Sequence, residues 1–139
     1  MLNFYSENQF VLADEEAYRQ WLQNVISSEG KKLEEISYIF CDDDYLLKIN
    51  QQYLCHDDFT DIISFDNSVG NILEGDIFIS TQRVSENAEK FGVNFSEEIK
   101  RVMVHGILHF CGFKDKSGED VAQMRRKEEE KMKMFHVEQ

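Results

Sequence analysis

Proline is absent from this sequence, apolar runs are short, cysteine is scarce and basic residues are outnumbered by acidic ones. Without proline there is no X-Pro bond whose slow isomerisation limits folding. No run approaches the ~20 apolar residues needed to cross a bilayer, and the opening segment MLNFYSENQF has no basic stretch leading into a long apolar one. Neither a membrane span nor a signal peptide is expected, which predicts a cytoplasmic location. The three cysteines, Cys41, Cys55 and Cys111, form neither an even set nor a CxxC pair, so reduced thiols are expected. A formal charge of -12 argues against general nucleic-acid binding, because attraction to phosphates requires clustered Lys and Arg. That deficit is local: residues 1–82 hold 4 basic and 16 acidic side chains, whereas residues 83–133 hold 11 and 10.

What is present is a globular composition, 42% hydrophobic and 30% charged with 11 Phe, over 139 residues. This predicts one α+β domain with one core. Asp14 is placed to cap a helix running to about Glu29, with Tyr18, Trp21, Leu22, Val25 and Ile26 at helical spacing. Strands are expected at Leu2 to Tyr5, Ile36 to Cys41, Ile62 to Phe65 and Asp76 to Ser80, with a turn through Gly70, Asn71 and Gly75. The run Asp42, Asp43, Asp44 reads as a helix cap and first turn rather than a metal site. Helices follow from Thr81 to Phe91, closed by Gly92, and from Ser96 through Cys111, closed by Gly112. A last helix starts near Ser117, where Ser117 and Asp120 resemble a capping box, with Val121, Met124, Met132 and Phe135 inward. Its KEEEKMK segment reads as a solvated face with charge pairs at helical spacing.

The chemistry concentrates in residues 105–115, HGILHFCGFKD. Helical residues four apart differ by about 40° around the axis, so His105 and His109 share a face and suit one metal ion. Gly112 ends the helix, and Asp115 is then able to swing back toward the imidazoles. Two imidazoles and a carboxylate leave one tetrahedral position free, as in catalytic zinc sites. Cys111 lies about 140° around the helix from the histidines and reads as a small hydrophobe. His56 in a loop and His136 near the C-terminus read as solvent-facing. The spacing is also close to the metzincin peptidase pattern H-E-x-x-H-x-x-G-x-x-H, but the general-base Glu is replaced by Gly106, which disfavours a peptidase.

The same segment resembles the YbeY family pattern H-G-x-L-H-x-x-G-[YF]-D-H, including Gly106 and Leu108. A second family block, N-x-x-Y-R-x-x-D-x-P-T-D-V-L-S-F, is matched by Asn50, Tyr53, Asp57, Thr60, Asp61, Ser64 and Phe65, and the family Gly-Asp-Ile strand by Gly75, Asp76 and Ile77. The resemblance spans about Ile36 to Asp115. It implies an α+β fold with a mixed four-stranded sheet, about five helices and a metal helix across the sheet. It further implies a single-strand-specific endoribonuclease holding one zinc ion through His105, His109 and Asp115. Its implied role is maturation and quality control of small-subunit ribosomal RNA, with the ribosomal subunit or its proteins as partners and no membrane.

Three departures stand out. Asp115 occupies the third histidine position, Leu54 that of the family arginine, and Phe59 that of a proline. His56, Lys114 and Arg101 are candidates for steadying phosphate in place of the missing arginine, and Thr60, Asp61 and Ser64 for lining the cleft. A zinc peptidase-like hydrolase and a non-catalytic, zinc-stabilised ribosome-associated protein stay open as alternatives.

Overall fold

The computed structural model describes residues 1–56 and 58–135. Asp57 and His136 therefore lie outside the described residues. The elements run β1 (Leu2–Ser6), α1 (Glu15–Ser28), β2 (Lys32–Cys41), α2 (Asp43–Leu54), β3 (Ile62–Asp66), β4 (Ile72–Ser80), α3 (Thr81–Phe91), α4 (Phe95–Phe110) and α5 (Gly118–Met132). The sheet has the order β1-β2-β4-β3. β1, β2 and β4 are parallel, and β3 runs antiparallel to β4. Among the described residues this is the α+β fold, with a mixed four-stranded sheet and five helices, that the family resemblance implied.

Alternation along the strands builds two cores of unequal size. Ile36, Tyr38 and Phe40 of β2 and Leu73, Ile77 and Ile79 of β4 meet α1 and α4, with Trp21, Leu22, Val25, Ile99, Met103 and Ile107. The opposite face is covered by α2, where Leu46 packs with Cys41 and Ile63. The Tyr38 hydroxyl donates to the Met103 carbonyl at 2.8 Å, so α4 is bonded to the sheet as well as packed on it. A Cβ at Gly106 would stand 2.9 Å from Ile77 Cδ1 and 3.2 Å from Ile62 Cδ1. Glycine here lets α4 lie close against β3 and β4. A glutamate would point into the sheet rather than toward the histidines.

Several expectations change. β2 and β4 extend further than their apolar stretches indicate, because pairing from Lys32↔Ile72 onward recruits polar residues into the ladder. Gly75 is thus a strand residue, and a Cβ there would stand 2.2 Å from the Phe65 carbonyl oxygen. Asp14 sits at the α1 N-cap position in a left-handed conformation and makes no side-chain cap bond. Asp42 likewise leaves the α2 cap unmade, while Asp43 turns inward. Its carboxylate accepts from Ser80 at 2.7 Å and from Arg83 at 2.8 Å, a partner forty residues away. The capping box of Ser117 and Asp120 is present. Val121, expected inside, is 47% exposed, whereas Met124 is buried and Met132 and Phe135 pack partly buried against the main core as expected; the buried face also takes in Glu128 and Lys131. The KEEEKMK segment is therefore not wholly a solvated face: Arg101 of α4 pairs with its buried Glu128, and Glu29 at the end of α1 pairs with its buried Lys131.

Candidate metal centre

α4 starts at Asn94, whose side chain accepts from the Glu97 amide at 2.8 Å, and it ends where Gly112 takes a φ of 103°. That left-handed residue reverses the chain, which brings Asp115 back over the last turn. Nε2 of His105 and Nε2 of His109 stand 2.9 Å apart. Asp115 Oδ2 lies 3.4 Å from the first and 3.3 Å from the second. The three donor atoms therefore converge, as the spacing predicts.

Their hydrogen bonds decide what they can hold. His109 Nδ1 lies 3.0 Å from the Phe113 carbonyl oxygen, which only accepts, so Nδ1 carries the proton. His105 Nδ1 lies 2.6 Å from Glu128 Oε2, again an acceptor. In neutral imidazoles of this tautomer both Nε2 atoms present lone pairs, and Asp115 adds a carboxylate oxygen. Three lone-pair donors facing one another without a proton repel unless a cation lies among them. The residues present fit a metal ion.

A cleft of about 640 Å³ opens beside these donors. Thr60, Asp61 and Ser64 line it as expected, together with Asp66, Arg101 and the donors themselves. Burial pushes the Asp61 carboxyl above its ordinary value, against the opposing pull of Arg101 and His105. For Arg101, desolvation acts downward, but hydrogen bonds and charge from Glu98 and Glu128 outweigh it and raise the guanidinium further. His56 and Lys114 do not line this cleft. Lys114 is exposed on the turn, and His56 lies with Leu54 and Phe59 in a neighbouring hollow that shares Thr60, Ile62 and Ser64. Cys111 packs against the main core, where burial pushes its thiol up to about 11. It is not part of the donor group.

Glu128 is the residue of this site that sequence reasoning missed. It is 2% exposed, in contact with a candidate ligand, and it sits in a charged run whose composition signals solvent. Only its position four residues after the inward-facing Met124 hinted at burial.

The family model described as Endoribonuclease YbeY matches residues 3–136. The Endoribonuclease YbeY of Christiangramia forsetii is 62% identical over 138 residues, covering 99% of this chain and 96% of the relative. That of Flavobacterium johnsoniae is 60% identical over 139 residues and covers both chains fully, at 100%. The solution structure of TM1509 from Thermotoga maritima superposes with a TM-score of 0.70 over 97% of this chain and 89% of its own, at 23% identity, a likeness of fold. A family model that runs almost the length of the chain, with relatives at about three-fifths identity over nearly all of theirs, means that this chain belongs to the endoribonuclease YbeY family.

Proposed function

We propose that this chain is a metal-dependent endoribonuclease that cuts single-stranded RNA in the maturation and quality control of small-subunit ribosomal RNA. One zinc ion would be held by His105, His109 and Asp115. The observation that carries this reading is the convergence of two imidazole nitrogens and a carboxylate oxygen at the edge of a cleft. Mixed imidazole and carboxylate donors suit zinc, with one position left for substrate or water. A bound zinc ion supplies Lewis acidity for a phosphodiester and for water.

The remaining steps fall to the chain's own groups. Arg101 is the basic residue that lines the cleft among the described residues, so of the three candidates it is best placed to meet a phosphate oxygen. Asp61 lines the same wall, and a carboxyl with a raised pKa is suited to exchanging a proton with water or a leaving hydroxyl. Thr60 and Ser64 offer hydroxyls for orienting the strand. Asp61, Asp66 and Asp115 line the cleft with a single guanidinium among the described residues, so before metal binds the cleft repels RNA. The substrate strand is therefore expected to be presented by a ribosomal subunit or its proteins, in keeping with the overall charge of -12.

Metal analysis of the purified protein beside cleavage assays on single-stranded RNA, duplex RNA and casein tests this reading. Expected are about one zinc per chain and cleavage of single-stranded RNA that chelation removes and zinc restores. Cleavage that persists without metal, or casein hydrolysis without RNA cleavage, overturns it.

A further inference from the structure

Behind His105 lies a polar chain that crosses from α4 to α5. Glu98, 2% exposed, accepts from Arg101 with both carboxylate oxygens, the Nε contact being 2.9 Å. Arg101 Nη1 reaches Glu128 Oε1 at 3.3 Å, and the other oxygen of Glu128 meets His105 Nδ1 at 2.6 Å. Each oxygen of Glu128 thus has a different donor, and the carboxylate cannot rotate without losing one of them. Glu98 in turn grips the guanidinium in the two-pronged geometry that arginine and carboxylate favour.

We propose that Glu128 is a positioning residue of the metal centre: it holds the proton of His105 on Nδ1, so that Nε2 presents its lone pair beside His109 and Asp115, with Arg101 and Glu98 fixing the carboxylate. The proposal rests on the reading of the three donors as a metal centre. The two histidines are held in different ways. His109 takes its tautomer from the Phe113 carbonyl, four residues along its own chain segment. His105 takes its tautomer from a helix that starts only after the donor segment has ended. A ligating imidazole whose other nitrogen donates to a carboxylate is more basic toward the metal, and loss of such a partner typically weakens binding about 10–100-fold.

The test uses the full chain with Glu128→Ala and Glu128→Gln. Imidazole nitrogen shifts of the metal-free proteins, at a pH where both rings are neutral, report each tautomer. Zinc affinity comes from competition with a chelator, and Co²⁺ absorption reports the ligand field. In the wild type both histidines are expected to carry the proton on Nδ1. In Glu128→Ala, His105 should lose that preference while His109 keeps it, zinc should bind about 10–100-fold more weakly, and the Co²⁺ bands should shift. Glu128→Gln retains an acceptor and should fall between the two. A folded Glu128→Ala protein in which His105 keeps its tautomer overturns the proposal, and so does a changed tautomer with zinc affinity within about twofold of wild type. If Glu128→Ala does not fold, Glu128→Gln decides through the metal: zinc affinity within about twofold of wild type overturns the proposal. A wild type that binds no zinc overturns the metal reading, and the His105 tautomer still reports separately on Glu128.

Discussion

Helix α5 carries two buried charges three residues apart, and they serve different neighbours. Glu128 faces α4 and bonds to a candidate metal ligand. Lys131, 4% exposed, faces α1, where its ammonium meets Glu29 at 2.7 Å and the Ser28 hydroxyl at 2.9 Å. Its carbonyl also accepts from the Trp21 indole at 2.7 Å. Both charges are fully engaged, yet only one touches a group suited to chemistry. Burial and pairing alone therefore do not mark a functional charge; the identity of the atom at the far end does.

If Asp115 only stabilises the turn after Gly112, Glu128 braces no metal site. We expect Asp115→Ala to lose zinc affinity by on the order of 100-fold or more, measured after dialysis against a mild chelator, while Asp115→His retains it. Equal occupancy in the wild type and the alanine variant would remove Asp115 from the ligand set.

Lys131→Met comes next and probes the other side of the helix. Removing the ammonium leaves the partly buried Glu29 with Lys127 alone, and truncating one partner of a buried pair costs on the order of 2–4 kcal/mol. Chemical denaturation should show that loss with zinc affinity unchanged. A fall in zinc affinity instead would mean that the two charges of α5 act together.

The Glu29 cluster also has a pH signature. Burial pushes the Glu29 carboxyl up, but hydrogen bonds and charge from Lys127 and Lys131 outweigh it and hold the group below its ordinary value of 4.5. A depressed carboxylate stabilises the fold above its unfolded pKa and loses that contribution as pH falls through the folded one. The Tm difference between wild type and Glu29→Gln should stay level from neutral pH down to about 5 and shrink below about 4.5. A difference independent of pH down to 3 would contradict this.

The smallest effect concerns an exposed position and extends the comparison beyond buried charge. Leu54 is 42% exposed in the hollow beside the cleft. Leu54→Arg should raise RNA cleavage by roughly threefold to tenfold, about 1 kcal/mol of barrier, with zinc content and stability unchanged. An unchanged rate would leave Arg101 as sufficient for the phosphate.

What the sequence made legible was local. α3 has the boundaries Thr81–Phe91 that its helical pattern and the closing Gly92 indicate, and Ser80 caps it by accepting from the Arg83 amide at 3.1 Å. The donor group was legible for the same reason, since His105, His109, Gly112 and Asp115 fit within three turns of chain. Partners distant in sequence were not. Arg101 and Glu128 are 27 residues apart, and Arg83 and Asp43 are 40 apart, so neither pairing leaves a pattern in a short window. Strand ends were underestimated because a polar residue such as Lys32 joins the sheet through its partner's register rather than its own propensity.

The attachment of Glu128 to His105 also has a consequence in the order of synthesis. A ribosome makes His105, His109 and Asp115 before it makes Glu128, and the donors have no brace until α5 has docked on α4. For that interval the nascent chain carries the three donors without their brace. The metal centre proposed to cut RNA is thus completed last, by a helix made after all three of its donors. Delayed assembly of the donor set separates the making of the ligands from the onset of their chemistry.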